Sequence, residues 1–387
     1  MERTFTIWAM LFIVGGLFCQ CQDKYVSPYR SPNTGYLVVE GYISGNTPIQ
    51  YTLSRTLPLP GDSTIPKESG ATVEVEGSDN SSISLLDRGG GVYSSADTPM
   101  LNAGIRYRLR IHTTEGEDYL SDFVPFRSTP PIDSVNWVES SNGVNIYVNT
   151  HDPANATRYY EWNYDETWEY HSAEQSVEEY DTATGQVIVR PPLSQVYRCW
   201  REDISTNIFL GSSIKLAQDV IYEQPLELLP RNSVQLSVLY TTLVRQWALT
   251  DSAYNYASIM QKNTESLGSI FDVQPSELNG NIHCLTKPAE QVVGYISAGT
   301  IQQQRIWISV EQLTGWTYSY SCPVPDFVVP LDSVDLYKYY IGHDDMPIVA
   351  HLPPRGAQSD GWTSNHAYCI DCRSQGGTNI MPAIWPY

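Results

Sequence analysis

A regular alternation of aromatic and polar residues constrains the fold of this chain more than any other pattern in it. In the stretch RYYEWNYDETWEYHS, five aromatic residues all occupy even positions: Tyr160, Trp162, Tyr164, Trp168 and Tyr170. Successive side chains of a strand point to opposite faces, so this spacing predicts an extended segment with its rings on one face. Such a row is either the core side of a sheet, which is the interpretation we favour, or a platform that binds a sugar or another planar ligand.

The same period of two recurs through residues 35–129. In the run IRYRLRIHT, residues 105–113, apolar residues alternate with three arginines, which predicts a strand with one buried face. About seven such runs, separated by turn residues, predict a β-sandwich of immunoglobulin or transthyretin type over residues 35–129. The pair Pro130 and Pro131 is expected to end this domain, because proline cannot donate a hydrogen bond to a strand ladder.

Residues 130–387 are predicted to form a larger β-rich domain with one main helix. The helix is expected near residues 251–267, where Thr250 or Asp251 can cap its N-terminus and Gly268 can end it. The fold class expected for the whole chain is therefore mainly β.

The first residues predict export. Arg3 precedes an apolar run that has about the length of the apolar region within a signal peptide and is shorter than the roughly 20 residues of a spanning helix. A cysteine directly after such a run is typical of a bacterial lipoprotein, in which its thiol is acylated. We therefore predict a signal peptide at residues 1–20, a lipid anchor on Cys21 and a tether over residues 21–34. The alternatives are acylation of Cys19, or an ordinary cleaved signal peptide with a chance cysteine.

The charge balance argues against nucleic acid as a partner. The chain has 43 acidic and 23 basic residues, a net charge of -20, whereas binding to phosphates requires clusters of Lys and Arg. A strongly acidic body also repels anionic head groups, so attachment to a membrane is expected from the lipid alone. The sequence contains no G-x-S-x-G elbow, phosphate-binding loop or H-E-x-x-H motif. We therefore predict a protein without enzymatic activity, cofactor or metal site.

Five cysteines follow Cys21, and an odd number leaves at least one thiol unpaired. They are Cys199, Cys284, Cys322, Cys369 and Cys372. In an oxidising compartment a local disulfide between Cys369 and Cys372 is the simplest expectation, and it would staple the C-terminal tail, with Trp385 docked on the second domain. A zinc site that includes His366 and Cys322, or a redox-active pair, are the alternatives. The pairing of the other three cysteines stays open.

Several stretches carry a family resemblance when they are taken in order. They are YLVVEGYI (36–43), TLSRT (52–56), residues 199–226, residues 248–283 and CIDCRSQGGTNIMPAIW (369–385). Together they resemble a family of Bacteroidota outer-membrane lipoproteins that is described only as a domain of unknown function. Cys284 departs from the pattern of this family and is the thiol expected to remain unpaired.

The resemblance implies a function but no site residues. Members are generally encoded beside TonB-dependent outer-membrane receptors. The chain is therefore expected to be a non-enzymatic lipoprotein at the cell surface that captures substrate for such a receptor, or covers it as a lid, during nutrient uptake. The alternative is a structural or adhesive surface module that binds host or matrix components. No motif identifies the ligand.

Overall fold

The computed structural model describes residues 35–57, 64–265, 278–322, 327–330, 336–352 and 358–386. The predicted signal peptide, Cys19, Cys21 and the tether lie outside these ranges. The prediction of a mainly β chain is confirmed. Within the described ranges, no helix is both long and apolar enough to cross a membrane.

The N-terminal region is built from eight consecutive strands and two short strands that come from later in the chain. The consecutive strands are β1 (Leu37–Ser44), β2 (Gln50–Arg55), β3 (Thr72–Gly77), β4 (Ser82–Gly89), β5 (Val92–Ser94), β6 (Arg106–His112), β7 (Asp118–Ser121) and β8 (Val124–Arg127). The two later strands are β18 (Ile282–Cys284) and β19 (Ala298–Gly299).

The strands of this region close on themselves. β19 lies between β1 and β8 and is parallel to both, and β8 also pairs with β6. The order β6-β3-β4-β5-β2-β1-β19-β8 therefore returns to β6 and forms a closed, barrel-like sheet of eight strands around an apolar core. The prediction of a sandwich over residues 35–129 did not include β19, because a strand of two residues carries no periodicity that the sequence could reveal.

Residues 292–299, which end in β19, lie alongside β1. The amide of Val39 donates to the carbonyl of Val293 over 2.8 Å, and the amide of Val293 donates to the carbonyl of Leu37 over 2.9 Å. Gly294 permits this close approach, since a Cβ atom at that position would lie 2.4 Å from the Val39 carbonyl oxygen.

The second region consists of two facing sheets. Its strands are β9 (Ile132–Ser140), β10 (Gly143–Asp152), β11 (Tyr159–His171), β14 (Arg198–Ile204), β15 (Phe209–Ser212), β16 (Asp219–Pro230), β17 (Leu239–Ala248) and β20 (Ile301–Ser309). One sheet has the order β16-β10-β9, and the other has the order β14-β11-β17-β20, with β15 also paired to β11. Apolar side chains of both sheets form a second core between them.

Helix α1 (Asp251–Glu265) follows β17 and confirms the predicted helix, whose last two predicted residues lie outside the described ranges. Of the two capping candidates, Thr250 provides the contact: its hydroxyl oxygen accepts a hydrogen bond from the amide of Ala253 over 3.2 Å. Ala253 and Tyr256 are buried on one side of this helix.

A smaller group of elements combines a hairpin from the middle of the chain with strands from its C-terminal part. A hairpin of β12 (Glu178–Asp181) and β13 (Gln186–Val189) accompanies a sheet of β21 (Phe327–Pro330), β23 (Gly361–His366) and β22 (Asp345–His351), followed by the short helix α2 (Ala367–Ile370).

The predicted disulfide between Cys369 and Cys372 is wrong. Cys372 pairs with Cys199 on β14, and Cys369 pairs with Cys322, with Cα atoms 5.8 and 5.9 Å apart. The two tail cysteines lie on successive short helical turns, so each thiol meets a different part of the second region. Cys284, the expected odd thiol, is buried and unpaired.

The tail is nevertheless fastened to the second region, as the sequence predicts. Trp385 packs edge-on against Trp200 and Trp307, and its indole nitrogen donates to the carboxyl of Glu169 over 2.9 Å. Gly377 lies against Tyr170, where a Cβ atom would come within 2.3 Å of the phenolic oxygen. The tail is thus held by two disulfides, an aromatic cluster and a buried hydrogen bond.

We expect peptide mapping under non-reducing conditions to recover the linked pairs Cys199–Cys372 and Cys322–Cys369. Replacing Cys199 and Cys372 together with serine should lower the free energy of unfolding by about 2–4 kcal/mol, because the crosslink closes a long loop in the unfolded chain. Urea titration of the double variant measures this loss, and Cys284→Ala serves as a control that removes a thiol without removing a crosslink and without burying a hydroxyl. Recovery of a linked Cys369–Cys372 peptide would contradict the pairing.

Candidate functional site

The aromatic row of β11 faces the core. Tyr160, Trp162, Trp168 and Tyr170 are buried between the two sheets of the second region, and Tyr164 is half-buried against Phe209. The indole nitrogen of Trp162 donates to Gln246 over 2.8 Å, which satisfies its only polar group. These rings are therefore structural, and the hypothesis that they form a ligand platform is wrong for the four buried ones.

One member of this row is a carboxyl group. Glu166 occupies the even position between Tyr164 and Trp168 and shares the phenolic oxygen of Tyr240 with Glu227 of the facing sheet. Each of the two contacts to Tyr240 measures 2.9 Å. A phenol has a single proton to donate, so two ionised carboxylates could not both receive it.

The electrostatics of this pair follow from its position between the sheets. Burial, followed by repulsion from Glu166, raises the pKa of Glu227 to about 8. Burial also raises the pKa of Glu166 above its ordinary value. Burial and mutual repulsion thus favour a proton shared by the pair, which connects the two sheets through Tyr240.

The opposite face of β11 is covered at both ends. At one end the tail covers Glu169, which accepts hydrogen bonds from Arg198 over 2.8 Å, from Trp385 over 2.9 Å and contacts His171 over 3.1 Å. Burial alone would raise the pKa of Glu169, but these partners and the charge of Arg198 outweigh it and lower the pKa to about 2. This carboxylate is fully paired.

At the other end, the same face borders a cleft of about 350 Å³ between the two regions. β1 and residues 293–297 form one wall, and helix α1 with part of β11 forms the other. The wall residues are mainly apolar or aromatic: Val38, Val39, Tyr42, Ile208, Leu249, Ala253, Tyr256, Ala257, Met260, Val293 and Tyr295. This combination of size, apolar lining and position between domains is typical of small-molecule sites.

Glu161 supplies a carboxyl group to this cleft. It lies next to Trp162 on β11 and therefore points away from the core, toward α1 and β1. Its carboxyl makes no hydrogen bond or ion pair with any described residue, and burial raises its pKa to about 7. The nearby Tyr42 has a buried hydroxyl without a partner among the described residues. Burial, followed by the charge of Glu161, raises the pKa of Tyr42.

Sequence reasoning missed Glu161, because the strand pattern gives its face but not what lies against it. Alternation places it on the face opposite the aromatic row, and an acidic residue there is normally exposed to solvent. Its burial depends on α1 and on the return of residues 293–297, and neither can be inferred from the strand pattern. Across the described ranges, no three His, Cys, Asp or Glu side chains are grouped so that they could hold a metal ion.

We expect Glu227→Gln to stabilise the protein at alkaline pH. A carboxyl whose folded-state pKa lies above its unfolded value contributes most below the unfolded pKa of about 4.3, and this contribution is lost as pH rises through about 8. The amide removes this charge and can still donate to Glu166. In urea titrations, the variant should gain roughly 1–2 kcal/mol over the wild type at pH 9 and little at pH 5. Glu115→Gln, in an exposed turn, is the control; an equal response of both variants would contradict the assignment.

The chain matches one protein-family model and is distantly similar to solved structures. No curated protein matches the chain. Among solved structures, a chain from the work described as "Complete structure of manganese lipoxygenase of Gaeumannomyces graminis and partial structure of zonadhesin of Komagataella pastoris" aligns at 11% identity. The alignment covers 58% of this chain and 91% of that chain with a TM-score of 0.15, a likeness too low to support any conclusion. The family model described as "Domain of unknown function (DUF4249)" matches residues 23–305. The chain, with its mainly β fold, therefore belongs to the DUF4249 family.

Proposed function

We propose that this protein is a non-enzymatic lipoprotein of the outer membrane, anchored through Cys21, that captures a small ligand at the cell surface for a TonB-dependent receptor. The observation that carries the proposal is the cleft between the two regions. It is large enough for a small molecule, it is lined by apolar and aromatic side chains, and Glu161 brings to it a half-buried carboxyl group with no partner among the described residues.

The arrangement around the cleft suits capture rather than chemistry. The carboxyl pair of Glu166 and Glu227 lies in the core between the sheets and is occupied by Tyr240, so it serves to hold the fold together. In the cleft, the titratable groups found with Glu161 are tyrosines and the exposed Glu40, and none of the described lining residues is a His, Cys or Lys that could act as a base or nucleophile beside it. The walls, in contrast, come from strands and from a capped helix, so regular secondary structure positions the side chains that line the cleft.

The resemblance to lipoproteins encoded beside TonB-dependent receptors supports the partner and the location. A captured ligand must be released to a transporter, and a tether of about 14 residues reaches tens of ångströms when extended. Such a reach would allow the folded body to sit over the extracellular mouth of a neighbouring receptor. The net charge of -20 is consistent with an anchor that depends on lipid rather than on attraction to anionic head groups.

A cleft-filling substitution tests the proposal directly. Deletion of the gene should abolish import of one nutrient. We expect the Ala257→Trp variant, substituted on the cleft side of α1, to fail to restore this import in the deletion strain, because the indole occupies the cleft. Ser252→Trp, exposed on the same helix, should restore import fully, and both variants should copurify with the receptor in detergent. Uptake that is unchanged in the deletion strain across a panel of nutrients would contradict the function. If the Ala257→Trp variant restores import, the cleft has no part in the function.

A further inference from the structure

Two carboxyl groups on the same face of β11 have opposite surroundings. Glu169, under the tail, has a guanidinium, an indole and an imidazole as partners. Glu161, beside α1, is half-buried in the cleft and has no hydrogen-bond or ion-pair partner among the described residues. Burying a carboxyl without a hydrogen bond or counter-charge is unfavourable, and proteins normally supply the missing partner or keep the group in solvent. The carboxyl of Glu161 instead borders the open space of the cleft.

The chemistry of the cleft walls specifies which partner fits. Among the described lining residues, Glu161 and the exposed Glu40 are the charged side chains, and none is Lys, Arg or His. Tyr42, Tyr256 and Tyr295 bring three phenol rings, and rings of this kind attract cations over their faces. A carboxylate, aromatic rings and an apolar lining together favour a positively charged group on an apolar body and disfavour an anion.

We infer that the cleft binds a small organic cation, a primary ammonium or a similar nitrogen cation on an apolar or aromatic body, with Glu161 as its counter-ion. This inference rests on the proposed function of the cleft in capture and specifies the class of ligand. The cation would provide Glu161 with the charged hydrogen-bond donor that Arg198 provides to Glu169. The apolar body would lie against Met260, Leu249 and Val39.

The pairing makes binding dependent on pH. The titratable groups that line the cleft together with Glu161 are Tyr42 and Glu40 from β1, Tyr256 from α1 and Tyr295 from the returning segment. Burial raises the pKa of Glu161 to about 7, so in the unliganded cleft the carboxyl of Glu161 becomes ionised as pH rises through neutrality. An ammonium probe stays charged over this range. Its affinity should therefore rise by roughly tenfold between pH 6 and pH 8, in proportion to the ionised fraction of Glu161.

Three probes that share a ring and a two-carbon spacer test the inference: 2-phenylethylamine, 2-phenylethanol and 3-phenylpropionate. Isothermal titration calorimetry on the full chain in detergent micelles, corrected with protein-free micelles, measures each affinity. At pH 8 we expect the amine to bind at least tenfold more tightly than the alcohol, and the acid to bind more weakly than both. Glu161→Gln should bring the amine to the affinity of the alcohol and leave the alcohol unchanged.

Glu40→Gln is the matched control, since it removes a carboxylate at the exposed rim of the same cleft. It should reduce the preference for the amine by less than twofold, because a solvated charge contributes little. Equal affinities of amine and alcohol for the wild type, or a preference that survives Glu161→Gln, would overturn the cation as ligand class and leave the cleft as a capture site. Absence of binding by all three probes would also overturn it. The import assay with Ala257→Trp decides the proposed function separately.

Discussion

The parallel pairing of residues 293–299 with β1 is the contact on which the rest of the structure depends. Backbone hydrogen bonds hold this segment along its length, from Leu37 and Val39 at its start to Gly45 at its end. Through it, β19 enters between β1 and β8 and closes the N-terminal sheet. The same segment forms one wall of the cleft, so the geometry of the candidate site and the closure of the first region have a common origin.

The second region is organised around β11, which separates two environments. On its even face, aromatic rings and the Glu166–Glu227 pair fill the space between two sheets. On its odd face, the tail covers Glu169 and α1 covers Glu161. The difference between the two glutamates lies in what covers them, since the tail brings hydrogen-bond donors and the helix brings apolar side chains.

Local pattern was sufficient for the strands, the main helix and the interpretation of the aromatic row as core. Each depends on side-chain periodicity or on a capping residue such as Thr250, which act within a few positions of the chain. The disulfides were mispredicted because the partners are separated by 173 and 47 residues, and spacing along the sequence carries no signal for them. Likewise, β19 is too short to have a pattern, and the burial of Glu161 depends on elements that meet only in the folded chain.

The closure of the N-terminal sheet also has a consequence for how the chain reaches its fold. The side chain of Asn46 donates to the carbonyl of Ile301 over 2.8 Å, a contact between residues 255 positions apart. When the chain is synthesised from its N-terminus, the first 129 residues emerge long before the strand that completes them. Until then, β1 and β8 present open edges that can pair with other chains. Contacts of such long range also form slowly, so the first region is expected to stay open at these edges until residues 292–301 have been made.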